Sequence, residues 1–314
     1  MNISFIIITN SKKKEELLLQ IKSIEYQNIP NYEILIVGDI DLNQKYSNPN
    51  ITLIEDKHNA SKGSLGGMRN KACEQAKYDN LVISDDDMLF TKDWYKNLLK
   101  INQDFDIITP CVKVPDGTRF WDNACYMSPS KGHIILNEDE TDDNLYMSGG
   151  QSWIIKKFVW SKIKWDEEFL IYKMKSLDDY SKGMHNEDTD FALRCRQNNL
   201  KIRHESSILV YHNDKSYTAV GRVVRRRFNS KDQTWCEKLD LPEEILIQFA
   251  VTLANYSFEA EAADILRKLK LNNSFGADQV FNQIEQRYGG PLKNSNFSFK
   301  NEEYSDLIQT YKNV

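Results

Sequence analysis

In Leu81-Val-Ile-Ser-Asp85-Asp86-Asp87-Met-Leu-Phe-Thr-Lys-Asp-Trp94 a short apolar run ends in three consecutive aspartates. A run of this length and kind is what a strand buried on both faces of a sheet presents. Side chains alternate along a strand, so Asp85 and Asp87 leave its end on the same side. Two hard carboxylate ligands there suit Mg²⁺ or Mn²⁺, which keeps open positions for phosphate oxygens. A solvated acidic turn capping the next helix is the plain alternative. Three adjacent carboxylates repel one another, however, and a bare turn has little reason to collect them without a cation.

Upstream of this strand the sequence alternates strand and helix. Ile3–Thr9 is a continuous β-branched and aromatic run, and the helix after it carries Leu17, Leu18, Ile21 and Ile24 on one stripe, with Asn10 or Ser11 as its cap. Tyr32–Val37 is a second strand, ended by Gly38-Asp39, and Ile51–Ile54 a short third. Gly66-Gly67 opens a helix that runs to about Ala76. Strand–helix–strand repetition at this spacing implies right-handed crossovers and an α/β fold with a doubly wound, mostly parallel sheet. Ligands of such sheets sit at the carboxyl ends of the strands, where Thr9, Asp39 and the three aspartates fall.

The stretch from about 105 to 235 is less regular, with strand-like runs at Ile107–Thr109, Ser152–Ile155 and Ile208–Tyr211 and an acidic segment at Asn137–Asn144. From about Leu241 the pattern turns helical, with one stripe at Ile245, Phe249, Leu253 and Tyr256 and another at Ala262, Ile265, Leu266 and Leu269. Pro242 fits a first helical turn. These changes divide the chain into an α/β domain, 1–236, and a small helical domain, 237–314.

The net charge of −5 is spread along the 314 residues and gives no reason to expect nucleic acid as a partner. The five cysteines stand far apart, which suits reduced thiols better than a disulfide framework or a zinc site. Ile3–Ile8 is too short for a signal peptide, and its lysines follow rather than precede it. No stretch approaches the roughly 20 apolar residues of a membrane span. A cytoplasmic location is expected.

The strand, the Asp-x-Asp at 85–87 and the trailing Thr91-Lys-Asp-Trp94 resemble the donor motif of GT-A glycosyltransferases, especially the bacterial family-two enzymes related to chondroitin- and O-antigen-building transferases. The resemblance covers about residues 1–235. It implies that Asp87 binds the metal directly, while Asp85 lies nearer the ribose and the metal's water shell, with Asp86 between them on the donor side. It also implies that Thr9 lies near the base or ribose and that Asp39 hydrogen-bonds the base. Gly63-Ser-Leu-Gly66-Gly67-Met-Arg69-Asn70 is similar to the family's segment ahead of this strand. Backbone N–H groups at such a helix start approach anions readily, and Arg69 then binds donor oxygens, or else forms a structural ion pair.

Met184-His185-Asn186-Glu187-Asp188-Thr-Asp190-Phe-Ala-Leu-Arg194 is similar to the family's Glu-Asp motif on the acceptor side. By resemblance Asp188 is the catalytic base and Glu187 orients an acceptor hydroxyl or supports the loop, although acidic residues also suit any helix N-terminus. Asp190 and Arg194 have the i,i+4 spacing of a helix ion pair. Ile208-Leu-Val-Tyr211-His212 is a buried strand ending where several GT-A enzymes place a metal-binding histidine, and imidazole is an acceptable ligand for Mn²⁺. Gly149-Gly150-Gln-Ser-Trp153 resembles the segment lining the acceptor pocket, with Trp153 or Trp121 as a sugar platform and His185 as a further contact. Arg222, Arg225, Arg226 and Arg227 are either part of a loop closing over the donor, a solvated basic segment, or a site for an acidic partner.

The resemblance thus implies a metal-dependent transferase that uses Mn²⁺ or Mg²⁺, a nucleotide-diphosphate sugar (UDP-sugar favoured) and a saccharide acceptor, with inversion at the anomeric carbon. A retaining enzyme would carry much the same metal site. A sugar nucleotidyltransferase would want a glycine-rich basic loop after the first strand, and Thr9-Asn10-Ser11 lacks it. A non-catalytic carbohydrate-binding protein has no need of the aspartates, the Glu-Asp pair and the histidine together. The helical tail either forms a homodimer contact, docks the enzyme near a membrane-bound glycan, or covers an apolar face.

Overall fold

A computed structural model describes residues 1–40, 46, 48–115, 117, 125–128, 132–135, 152–168, 187–213 and 301–313, with backbone alone at 125–128, 132–135, 189 and 193. The chain divides into two compact units. One comprises Met1–Lys113, Trp121–Asn213 and Glu303–Val314; the other comprises Val114–Phe120 and Asp214–Glu302, nearly all of it outside the described residues. The expected boundary near 236–241 and the two helical stripes beyond it therefore fall outside those residues as well.

The first unit is built on an eight-stranded sheet, and every strand is drawn from an apolar run. In chain order the strands are β1 (Ile3–Thr9), β2 (Tyr32–Gly38), β3 (Ile51–Glu55), β4 (Asn80–Asp85), β5 (Met88–Phe90) and β6 (Ile107–Lys113). A separate hairpin of β7 (Cys125–Ser128) and β8 (Gly132–Ile135) follows, then β9 (Trp153–Lys156) and β10 (Ile202–His212). The sheet order is β3-β2-β1-β4-β9-β6-β10-β5. β1 pairs in parallel with β2 and β4, β2 with β3, and β6 with β10. β9 runs antiparallel to both β4 and β6, and β5 antiparallel to β10. Six strands thus point one way and end on one edge of the sheet. The fold is the expected α/β one, Rossmann-like and mostly parallel.

The helices are α1 (Lys14–Tyr26), α2 (Lys57–Lys62), α3 (Leu65–Gln75), α4 (Trp94–Leu98), α5 (Lys157–Lys162), α6 (Glu187–Gln197) and α7 (Glu302–Lys312). α1 buries Leu17, Ile21 and Ile24 as its stripe requires, together with Gln20 and Ser23, but Leu18 stays half exposed. Its cap differs from expectation. Lys13 precedes the helix with no side-chain cap, because Asn10 and Ser11 serve the turn: Asn10 Oδ1 accepts from Lys12 N, and Ser11 N donates to Thr9 Oγ1. Glu15 and Glu16 in the first turn complement the helix dipole instead.

The main core lies between one face of the sheet and α3, α5 and α6, where Ile6, Leu35, Leu81, Ile83, Trp153, Ile155, Trp160, Trp165 and Phe191 meet. On the other face Phe90 packs edge-on against Phe5 and Trp94, with centroids 5.5 and 4.9 Å apart. Burying each such ring removes enough apolar surface to stabilise the fold by about 1.5–3 kcal/mol. Two glycines are fixed by close approach. Gly38 has φ +144°, and a Cβ there would lie 1.9 Å from the carbonyl oxygen of Thr9. At Gly66 it would lie 2.6 Å from the carbonyl oxygen of Asp166.

Candidate active site

β4 ends at Asp85, and its carboxyl end lies beside those of β1 and β2. Ser84, just before the aspartates, is buried in a polar chain: it accepts from Gln20 Nε2 at 2.8 Å and lies 3.3 Å from Ser152 Oγ. Asp86 accepts from the Thr9 hydroxyl at 2.6 Å, so the middle aspartate ties β4 to β1. Burial pushes its carboxyl up to about 7, with Asp87 and Asp85 adding to the rise against the Thr9 hydrogen bond.

Asp87 points elsewhere. Its Oδ2 takes the Lys13 ammonium at 2.5 Å, and its Oδ1 lies 3.7 Å from His212 Nε2. That proximity comes from β5, which reverses after the aspartates and pairs antiparallel with the end of β10, bringing Met88 opposite His212. Asn213 N then donates to Asp87 O at 2.6 Å. Asp87 and His212 are both buried, and Asp87 Oδ1 accepts no hydrogen bond among the described residues.

A divalent ion about 2.1 Å from each of two ligands spans donor atoms roughly 3–4 Å apart, so this pair fits Mn²⁺ or Mg²⁺. An oxygen and an imidazole nitrogen are also donors that Mn²⁺ accepts. Among the described residues no group of three His, Cys, Asp or Glu side chains forms a closed metal cage. Two protein ligands leave room for phosphate oxygens and water.

The second half of the site is gathered by Arg69. Its side chain is 2 % exposed, and its guanidinium lies 2.5 Å from Glu187 Oε1 and 3.3 Å from Asp85 Oδ1. Burial alone would lower its pKa, but Glu187, Asp85 and Asp188 together outweigh that effect and hold it above the ordinary arginine value. Burial raises Glu187, and the guanidinium opposes it. Asp85 is raised by burial against the pull of Arg69, with Asp87 adding to the rise; 30 % of its side chain still meets solvent, which weakens all three influences. Arg69 is therefore an internal ion-pair hub, the structural alternative that its place in the motif left open.

Around this hub, Trp165 lies 5.8 Å from the guanidinium carbon and stacks on Phe191 at 4.1 Å. Asn70 donates to Trp165 O and Glu167 Oε1, both at 2.9 Å, and accepts from Trp160 Nε1 at 3.0 Å. Ser64 caps α3 by accepting from Gly67 N, and donates to Glu167 O at 2.7 Å.

The structure thus brings Thr9, Asp85, Asp86, Asp87, Arg69, Glu187 and His212 to one edge of the sheet. Asp188 is buried in the first turn of α6 beside them. Asp39 is exposed just past β2, its backbone N–H donating to Thr9 O at 3.3 Å. Asp190 pairs with Arg194 as its spacing requires, at 2.5 Å.

Trp153 is the clearest departure. It is fully buried in the main core beside Phe191, because β9 lies between β4 and β6, so its ring cannot serve as a sugar platform. Gly150, His185, Trp121 and Arg222, Arg225, Arg226 and Arg227 lie outside the described residues. Two participants escaped sequence reasoning. Lys13 is hidden in a basic run of three, and Trp165 sits in no motif.

The Glycosyl transferase family 2 profile matches residues 4–163, just over half of the chain. The chain belongs to that family. The matched stretch carries this transferase's three aspartates, its Arg69-Asn70 helix and β9. No curated protein matches the transferase's sequence significantly. GalNAc-T7, solved with UDP, GalNAc and Mn²⁺, is 14 % identical with a TM-score of 0.53, over 86 % of this chain and 57 % of that one. S. aureus TarS 1-349 with UDP-GlcNAc is 18 % identical over 96 % and 95 % of the two chains, TM-score 0.48. The mannosyltransferase PcManGT from Pyrobaculum calidifontis, with GDP-Man and Mn²⁺, is 13 % identical over 99 % and 84 %, TM-score 0.48. At such identities the likeness is one of fold. The transferase has the GT-A fold, and no described helix is long and apolar enough to cross a membrane.

Proposed function

We propose that this glycosyltransferase moves a sugar from a nucleotide-diphosphate donor to a saccharide hydroxyl with inversion, using a divalent ion held by Asp87 and His212. The observation that carries the proposal is the buried Asp87 Oδ1, which has no hydrogen-bond donor among the described residues and faces His212 Nε2 at 3.7 Å. A bound Mn²⁺ or Mg²⁺ supplies Lewis-acid neutralisation of the departing diphosphate. UDP is the favoured nucleotide, the one bound in GalNAc-T7.

Each residue then has a task. Asp85, partly exposed, meets the ribose and the ion's water shell. Asp86, anchored by Thr9, fixes the turn between them, and Asp39 at the open edge of β2 meets the base. Asp188 takes the proton of the acceptor hydroxyl as its oxygen attacks the anomeric carbon. The bond from that carbon to the diphosphate oxygen breaks, and the nucleoside diphosphate carries away the electron pair. Glu187 is set by Arg69 beside this base. Single displacement requires one carboxylate opposite the leaving group, which Asp188 supplies from α6.

Incubating the protein with a panel of nucleotide sugars and Mn²⁺, with and without saccharide acceptors, tests the proposal. Acceptor-dependent release of nucleoside diphosphate that ceases with chelator is the expected result. Release that persists with chelator, or of pyrophosphate instead, would overturn it.

A further inference from the structure

The residues on either side of His212 are both held by a helix far along the chain. Tyr211 donates its hydroxyl to Glu303 Oε2 at 2.8 Å. Asn213 accepts the Tyr304 hydroxyl through its Oδ1 and gives its backbone N–H to Asp87 O at 2.6 Å. Glu303 and Tyr304 are neighbours in the first turn of α7. Tyr211 and Asn213 both reach this helix, while His212 between them reaches Asp87. The helix grips the back of the strand end and leaves the imidazole facing Asp87.

The grip is more than two hydrogen bonds. Tyr211 and Tyr304 rings lie 5.4 Å apart within an apolar cluster with Leu89, Leu307 and Tyr311. Tyr311 donates to Phe90 O at 2.7 Å on β5, the strand that delivers Asp87 to His212. Farther out, Lys92 Nζ meets Asp306 Oδ2 at 2.5 Å on the exposed side of the helix.

We propose that Glu303 and Tyr304 are positioning residues for the metal ligand His212, so that docking of α7 and occupancy of the metal site reinforce each other. The proposal rests on the assignment of His212 to the metal. Ligand orientation by surrounding hydrogen bonds is a general requirement of metal sites, and losing a ligand's direct partner weakens affinity about 10- to 100-fold; Glu303 and Tyr304 hold the residues flanking the ligand, so the lower end of that range applies. Coupling of this kind is reciprocal, so the ion must also stabilise the docked helix.

The test uses the full chain and Mn²⁺ alone, with free ion measured by EPR. Glu303→Gln/Tyr304→Phe should raise the Mn²⁺ dissociation constant about 10-fold or more, and Tyr304→Phe alone, which keeps the ring in its cluster, should raise it less. His212→Ala should weaken binding further, whereas Lys92→Ala, which removes only a solvent-screened ion pair and leaves the helix docked, should leave affinity at the parent value. In the parent, Mn²⁺ should slow amide exchange across 303–312, and pulsed EPR should show nitrogen coupling that weakens in the double variant. Parent-like affinity in both Glu303/Tyr304 variants, with His212→Ala impaired, would sink the positioning role and leave the metal assignment standing. A loss in Lys92→Ala equal to that of the double variant, or no change in exchange, would overturn it too. Parent-like affinity in His212→Ala would remove the metal assignment itself and the proposal with it.

Discussion

Arg69 Nη1 and Glu187 Oε1 lie 2.5 Å apart across 118 residues of sequence, with both side chains buried. Through this pair α3, which leads into the aspartates, is joined to α6, which carries Asp188. The donor and acceptor halves of the site share one charged hinge point.

Removing half of that pair should be costly. Arg69→Met leaves a buried carboxylate uncompensated and should destabilise the protein by about 3–5 kcal/mol. Arg69→Met/Glu187→Leu should recover much of the stability while leaving transfer impaired. Urea denaturation followed by far-UV dichroism checks both; a double variant no more stable than Arg69→Met would refute the pairing.

Asp87→Ala should abolish divalent-dependent donor binding and leave the melting temperature of the metal-free protein within a few degrees of the parent. Calorimetric titration of donor with and without Mn²⁺ measures this. Unchanged metal-dependent binding would remove Asp87 from the metal site.

Asp188→Asn should cut transfer about 10²- to 10⁴-fold, the usual worth of a positioned base, with donor affinity intact. NMR of the parent enzyme's product should show the anomeric configuration opposite to the donor's. Retention of configuration would rule out single displacement whatever the variant's rate.

Gly66→Ala should destabilise the fold by about 1–3 kcal/mol, since the added Cβ would press to 2.6 Å from the Asp166 carbonyl oxygen. Thermal unfolding should fall by several degrees. Because Asp166 adjoins Trp165 beneath Arg69, transfer should fall more than stability alone explains; an equal melting temperature would show that the contact yields easily.

Cys73, Cys111 and Cys195 are buried, and burial pushes the Cys195 thiol up to about 12. A raised folded-state value means that the neutral thiol favours the fold below the ordinary cysteine range. That contribution is lost as pH climbs from about 9 toward 12. At pH 8.5 iodoacetamide should leave these three cysteines unmodified until guanidinium unfolds the chain, as peptide mass spectrometry would report. Rapid native labelling of Cys195 would contradict its burial.

Much of the site was legible because strand ends are easy to read. Uninterrupted apolar runs gave β1, β2 and β4, and polar residues at their carboxyl ends could only sit on the binding edge. The meeting of Asp87 with His212 was not written locally, because it depends on three-residue β5 reversing onto β10. Arg69 read equally as an anion ligand or an ion-pair partner, since a motif shows which residue is present and not how deeply it is buried. Trp153 misled for a related reason: a tryptophan beside glycines reads as a platform until the antiparallel β9 carries it into the core. The caps of α1 failed where Asn10 and Ser11 had a nearer use in the turn.

The distance in sequence between His212 and its helical brace has a consequence for synthesis. On the ribosome, β10 is complete some 90 residues before Glu303 and Tyr304 exist, an interval of about 5–20 s at ordinary elongation rates. During that interval Leu89 and Tyr211 lack the cover that Tyr304, Leu307 and Tyr311 later supply. The nascent chain therefore carries an uncovered apolar patch on the sheet, a place for a chaperone to bind or for two nascent chains to stick.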